Sequence, residues 1–301
     1  MKKTLIDFCK SIDIECVGIA PPGPYYDFKE RWEKQIERGY LTGFEEMDIE
    51  KRVDPRLTLE TVKSVIVCLF PYYIGESLKS NISKYSYGLD YHIVAKDKLR
   101  KIGEFLSENI DDFHYKEFAD IGPLSDRYLA HKAGLGFWGI NNHIITDKYG
   151  SYVFIGYILN NYPFEADKPI EKTCVQCLRC MKACPGQCIQ GDFTINPLKC
   201  KSYLTQKKEE LTKEEEEIIK KTPLIWGCDV CQNVCPHNKG IEETILEDFR
   251  MDLKYKIDCE EISKISNKEF TRRYKHKAFG WRGRKILEKN CEIINKDHNK
   301  I

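Results

Sequence analysis

The sequence predicts three parts: a mixed α/β or α+β domain over 1–165, a small bacterial ferredoxin-like module over 166–245, and a short basic helical tail over 246–301. Three observations carry this reading. Short β-branched runs alternate with helix-period stretches in the first half, which is the pattern of layered α and β structure. Cysteines crowd between Cys174 and Cys235 in two runs that each end in Cys-Pro. From Asn267 to Ile301 the chain carries eleven Lys/Arg against four Asp/Glu, with Phe279 and Trp281 interleaved.

The bulk numbers exclude some classes. With 301 residues and 42% hydrophobic content, the chain can bury a sizeable core. A formal net charge of +1 gives no global field that selects a partner. Fourteen cysteines are too dilute for a disulfide scaffold, and their clustering argues for metal. The N-terminus shows no secretory h-region and no apolar run approaches the roughly 18 residues that span a bilayer. A soluble, cytoplasmic protein without a membrane partner is expected, in a compartment where thiols stay reduced.

In chain order, Leu5, Phe8, Cys9 and Ile12 recur at helical spacing, and Cys16 to Ala20 reads as a short strand stopped by Pro21-Pro22-Gly23-Pro24. A second helix is predicted over 28–38, with Gly39 as its stop. Ser64 to Phe70 is β-branched, apolar and short, the signature of a buried strand. Cys9, Cys16 and Cys68 read as small buried hydrophobes. A helix follows over 93–108, and another after Pro123. Gly134, Gly136 and Gly139 fit G-x-G-x-x-G but follow a helical pattern, so the segment reads as a turn that lets backbone approach a large ligand, not as a dinucleotide fingerprint. Ile144-Ile145 and Tyr152 to Leu159 read as a β-hairpin around Lys148-Tyr149-Gly150. The charged run over 207–221 reads as a solvated helix face. The basic tail fits either a nucleic-acid surface, with phosphates on the cations and bases on the rings, or an ordinary basic helix.

The cysteine runs are the most specific signal. Cys174, Cys177, Cys180 and Cys184-Pro185 spell C-x₂-C-x₂-C-x₃-C-P, and Cys228, Cys231 and Cys235-Pro236 spell C-x₂-C-x₃-C-P. Cys200 lies between them and supplies the missing thiolate. In two-cluster ferredoxins the fourth cysteine of a run ligates the other cluster. One [4Fe–4S] cluster then takes Cys174, Cys177, Cys180 and Cys235, and the second takes Cys184, Cys200, Cys228 and Cys231. Cys188 is spare. Zinc is the rival for paired C-x₂-C units, but the Cys-Pro endings favour iron–sulfur. An electron carrier alone does not need about 165 residues ahead of its clusters, so a catalytic centre fed by them is expected.

Together these residues resemble the epoxyqueuosine reductase family, tRNA-modifying enzymes related to the corrinoid reductive dehalogenases. The resemblance runs from about Cys16 to about residue 295. It rests on Gly39-Tyr40-Leu41-Thr42-Gly43, Gly88-Leu89-Asp90-Tyr91-His92, Asp120 ahead of Ala133-Gly134-Leu135-Gly136, Cys200 through Thr205, and Trp226 through Gln232. Trp281-Arg282-Gly283-Arg284 fits less closely. The resemblance implies a cobalamin-binding first domain, and clusters that pass electrons to cobalt, which drives loss of the epoxide oxygen. It implies that Asp120 is the proton donor, and that Arg52, Ser202, Thr205, Cys228 and Asp229 contact the corrin. A carboxylic acid shielded from water suits that role, because a leaving alkoxide must be protonated; by spacing alone Asp120 reads as a turn aspartate. His92 is the tempting axial ligand, but the family binds cobalamin without one, so a pocket-lining role is implied.

The chain departs from the family at Ile121 within Ala119-Asp120-Ile121-Gly122-Pro123, at Ile140, where a lysine is usual, and at His237 after Pro236. These departures bear on substrate identity. The helical-repeat extension of longer members is absent, which leaves the tail, with Arg282, Arg284 and Lys285, to grip the anticodon stem-loop of a tRNA. A low-potential electron donor is implied, and a monomer is expected. Two other readings stay open: a corrinoid reductase acting on a small molecule, and an electron-transfer protein that reduces a partner's cobalamin. The absent twin-arginine signal and the basic tail count against the former, and Asp120 against the latter.

Overall fold

The structure, a computed structural model, describes residues 1–76 and 80–296. Asp297 and Lys300, counted in the basic tail, lie outside them. The chain divides into two compact units. The first is built from Met1–Pro71, His92–Gly139 and His143–Gln176, and the second from Tyr72–Tyr91, Ile140–Asn142 and Cys177–Ile301.

The first unit contains α1 (Lys2–Ser11), β1 (Cys16–Ala20), α2 (Tyr26–Glu37), α3 (Ile49–Val53), β2 (Ser64–Pro71), α4 (Tyr91–Asn109), β3 (Tyr115–Ala119), α5 (Asp126–Lys132), β4 (Phe137–Trp138), β5 (Ile144–Ile145) and β6 (Val153–Asn160). Four strands form a sheet in the order β1-β2-β6-β3, every pair antiparallel. The unit is therefore α+β. The central strand β2 is buried at every position. Its side chains alternate between faces, as a pleated strand requires. Val65, Val67 and Leu69 join Phe28 and Trp32 of α2 and Tyr128 and Leu129 of α5 in one core. On the opposite face, Phe8 of α1 stacks on Phe105 of α4 at 4.0 Å.

Two expectations are corrected here. Ile144-Ile145 does not form a hairpin with the strand after it. It pairs back onto Phe137-Trp138, while β6 lies between β2 and β3. The Gly134 and Gly136 approaches are internal: a Cβ at Gly134 would stand 2.4 Å from the Lys168 carbonyl, and one at Gly136 2.5 Å from Ile144. That glycine run packs chain against chain.

The second unit contains α6 (Arg179–Ala183), α7 (Lys201–Leu204), α8 (Lys213–Lys220), α9 (Val230–Asn233), α10 (Cys259–Lys264), α11 (Asn267–Tyr274) and α12 (Arg284–Asn295). Division at residues 165 and 245 does not match this arrangement. The tail is core, not appendage: Ile262, Phe270, Phe279, Ile286 and Leu287 pack with Ile82, Ile225 and Trp226. Ile293 extends α12 into a second cluster with Leu204, Ile218 and Ile219. Residues 72–91 belong here because the Asp229 carboxylate accepts from Ser83 Oγ and from the Lys84 backbone N–H, the latter at 2.8 Å. Lys277, almost fully buried, donates to the Tyr87, Gly88 and Asp252 carbonyls. A disulfide joins Cys259 of α10 to Cys291 of α12. Among the described residues, no helix is long and apolar enough to cross a membrane.

Candidate active site

In the first unit, Asp120 sits just beyond the end of edge strand β3, in the left-handed region at φ 63°. Aspartate tolerates that region better than most residues because its short side chain bonds locally. The turn is tight: Ile121 N–H donates to the Ala119 carbonyl at 2.8 Å, and Gly122 N–H to the Asp120 carbonyl at 3.2 Å. Buried Tyr157 fixes its far side, its hydroxyl accepting from Leu124 N–H at 3.2 Å. His92, in the first turn of α4, donates through Nε2 to Asp120 Oδ2 at 3.0 Å. The Asp120 side chain is 54% exposed. The described residues therefore leave this acid open to water.

Six residues on, at the start of α5, a second carboxyl has the opposite environment. One oxygen of Asp126 is buried without a hydrogen-bond partner. Burial pushes this carboxyl well above the usual range, and the Asp120 charge adds to that, against Arg127 and Arg52. The Arg52 guanidinium lies 4.1 Å over the Trp32 ring. Its Nε is buried and has no acceptor, as is Trp32 Nε1. Burial and the nearby Arg127 charge lower the Arg52 pKa. Two unsatisfied donors beside a cation are costly unless a ligand supplies acceptors, so this corner fits a ligand contact.

In the second unit, Cys180, Cys184, Cys188 and Cys235 are buried, and Cys200, Cys228 and Cys231 are half-buried. Cys231 is pushed well above the usual thiol range, first by burial and then by the neighbouring sulfurs of Cys228, Cys200, Cys184 and Cys180. Cys184 is pulled the other way, to about 6, by hydrogen bonds from the Cys188 thiol and from the backbone of Cys188, Gly186 and Ile189. Crowded thiols with N–H donors aimed at sulfur suit thiolates on a metal cluster. Among the described residues no three such side chains already stand in ligating geometry. Cys174 falls in the first unit, where its Sγ accepts from Gln176 N–H at 3.4 Å.

The proposed corrin contacts divide. Ser202 is partly accessible, with no hydroxyl bond among the described residues. Thr205 is wholly buried, and its hydroxyl donates to the Ser202 carbonyl at 3.0 Å while accepting from Gly227 N–H at 3.0 Å. It joins the Cys200 segment to the Cys228 segment. The joint needs Gly227, with φ 71°, because a Cβ there would stand 2.4 Å from Ser83 Cβ. The Asp229 carboxylate is spent on Ser83 and Lys84, as described above. Both residues thus position the module, and neither presents a free polar group.

The tail cations divide as well. Arg282 stacks on exposed Trp281, 3.8 Å from the ring centroid. Lys285 is exposed. Arg284 is turned inward, donating to the Ile262 carbonyl at 3.0 Å and to Glu288 at 2.7 Å. Arg284 serves the fold, whereas Arg282 is half-buried and Lys285 exposed. Sequence reasoning passed over Asn290. Its Nδ2 donates to the Thr205 carbonyl at 2.8 Å and to the Ile225 carbonyl at 2.9 Å. The signal was present: an asparagine on the apolar face of α12, flanked by Leu287 and Cys291. Lys201 was also passed over. Its buried ammonium caps the carboxyl end of α8 through the Ile219 and Thr222 carbonyls, and burial lowers it to about 8.

An α+β unit and a unit with two ferredoxin cysteine runs define a class: an iron–sulfur oxidoreductase. The comparisons sharpen it. Residues 173–238 match the family described as "4Fe-4S double cluster binding domain", and residues 52–121 match "Epoxyqueuosine reductase QueG, DUF1730". Curated relatives named epoxyqueuosine reductase include those of Bacillus cereus, 37% identical over 97% of this chain and 79% of theirs, and Bacillus subtilis, 37% identical over 97% and 78%. The chain belongs to the epoxyqueuosine reductase family. Among solved structures it matches epoxyqueuosine reductase from Streptococcus thermophilus, with TM-score 0.90, 32% identity, and 100% of this chain and 82% of that one covered. It also matches an epoxyqueuosine reductase bound to an epoxyqueuosine-modified tRNA stem loop, with TM-score 0.88, 34% identity, and 98% and 80% covered.

Proposed function

We propose that this protein reduces the epoxide of epoxyqueuosine in tRNA to the alkene of queuosine. The observation that carries the reading is the Asp120 turn: an accessible carboxyl held by His92, in a chain that also carries two ferredoxin cysteine runs. Removal of an epoxide oxygen as water consumes two electrons and two protons. When bound, cobalamin supplies the reducing metal centre, and two [4Fe–4S] clusters supply its electrons. Cys174, Cys177, Cys180 and Cys235 hold one cluster, and Cys184, Cys200, Cys228 and Cys231 the other. Within the first unit, Arg52 and Trp32 fit as cobalamin contacts; Ser202 and Cys228 are contacts that the family resemblance implies. Thr205 and Asp229 act behind them.

Asp120 delivers a proton to the departing oxygen. The His92 contact fixes the direction of its Oδ2. Because the carboxyl is half exposed, substrate itself must exclude water from it. A catalytic aspartate loop is described as swung out of the active site in a Bacillus subtilis epoxyqueuosine reductase structure that this chain matches at 34% identity and TM-score 0.87. The Asp120 turn would be its counterpart here. Trp281, Arg282 and Lys285 offer a ring and two cations to a single-stranded RNA loop.

The test is Asp120→Asn. The variant keeps iron and cobalamin and loses turnover of epoxyqueuosine tRNA by about 10²-fold or more, the scale of a lost general acid. Turnover within a factor of two of the parent would remove Asp120 from the reaction.

A further inference from the structure

Cys188 is not among the eight thiolates that the ferredoxin spacing requires. Its position is nevertheless built. The thiol is buried and its Sγ lies 3.3 Å from Cys184 Sγ. Cys200 lies close enough to act on the Cys188 thiol electrostatically. Cys188 N–H points at Cys184 Sγ, at 3.4 Å. The Asn196 N–H holds the Cys188 carbonyl at 2.7 Å, which ties the loop to the segment leading into Cys200. Gly186 makes that approach possible: a Cβ there would fall 1.7 Å from the Lys199 carbonyl oxygen. Lys221 Nζ holds the Pro185 carbonyl at 2.7 Å from the other side. Three thiols from one loop and its neighbour therefore converge, where the second cluster needs only two.

We propose that Cys188 is a reserve ligand of the second cluster, able to take the iron of either Cys184 or Cys200 when that cysteine is lost or modified. The proposal rests on the two-cluster reading. A staggered step about χ1 redirects a cysteine sulfur without moving the backbone, and the Cys188 sulfur already touches Cys184 and lies beside Cys200. The exchange is redox-neutral. The Cys188 S–H proton leaves to water as the new iron–sulfur bond forms, and the corner keeps one thiolate and its charge.

The experiment uses full-length protein reconstituted anaerobically with iron and sulfide, read by iron content and by the electron paramagnetic resonance of the dithionite-reduced state. The parent and Cys188→Ala each hold about eight irons per chain, two [4Fe–4S] sets. Cys184→Ala also holds about eight, with an altered signal from one cluster. Cys184→Ala/Cys188→Ala holds about four. A single Cys184→Ala variant with about four irons overturns the proposal, and so does loss of a cluster in Cys188→Ala, which would make Cys188 a primary ligand. If neither Cys184→Ala nor Cys184→Ser gives folded protein by circular dichroism, Cys200→Ala with and without Cys188→Ala decides: two clusters in the single variant support the proposal, and one overturns it. A parent that never exceeds about four irons defeats the two-cluster reading itself, and the proposal with it.

Discussion

Asn290→Leu removes one side chain and strips donors from two buried carbonyls. Asn290 is fully buried, and Nδ2 serves Thr205 at 2.8 Å and Ile225 at 2.9 Å. Leucine has a similar volume, so little cavity opens. Each carbonyl left without a donor costs about 1–3 kcal/mol. Asn290 Oδ1 is itself buried without a partner, and its removal returns about 1 kcal/mol. The balance is a loss of about 1–5 kcal/mol, or roughly 2–20 °C in Tm for a unit of this size. Asn290→Asp should cost more, because a carboxylate would face two carbonyl oxygens in a dry site. The assay is thermal unfolding of cluster-loaded protein at a fixed scan rate, followed by circular dichroism. The variant should also lose iron faster to a chelator, because Thr205 and Ile225 are the carbonyls that lead into the Cys200 and Cys228 segments. A Tm within about 1 °C of the parent would refute the view that α12 braces the cluster module.

Three further outcomes follow from the site. Asp126 has its carboxyl raised by burial, so the folded state holds a proton to higher pH than the unfolded chain. Stability therefore falls as pH rises from about 4, the unfolded carboxylate value, through the raised folded value. Asp126→Asn should flatten this trend and gain on the parent between pH 4.5 and 7.5; a constant gap in Tm across that range would count against it. Arg282→Ala and Lys285→Ala should each weaken tRNA binding and reduce its salt slope by about one unit, and an unchanged slope in both would take the tail off the RNA surface. Arg284→Ala should instead leave binding alone and cost about 1–2 kcal/mol of stability, because its partners are the Ile262 carbonyl and Glu288. Weaker tRNA binding without loss of Tm would reverse that assignment.

How much was legible follows from how local each signal is. Ferredoxin ligand spacing is fixed by chain geometry around a cluster, so the cysteine runs read directly. Strand β2 read correctly because it is buried on both faces and is a continuous apolar run. Edge strand β3 did not: Tyr115-Lys116-Glu117-Phe118-Ala119 is only partly buried, and polar edge residues blur the pattern. The hairpin was misread because partner choice for a two-residue strand lies outside the strand, in the turn over 139–143. The family resemblance placed Thr205 and Asp229 at the corrin and the basic tail placed Arg284 at RNA, whereas their hydrogen bonds reach residues 22, 146 and 22 positions away. Only the fold reveals such partners. The basic count of the tail likewise could not show which cations were spent inside.

The central claim is that the Asp120 turn and the cysteine module act in one reaction on tRNA. The direct measurement is nucleoside mass spectrometry of epoxyqueuosine tRNA incubated with cluster-loaded protein and a low-potential reductant, with and without cobalamin. The account predicts conversion to queuosine only with cobalamin and only with Asp120 intact. Conversion without cobalamin, or none by fully loaded protein, would contradict it.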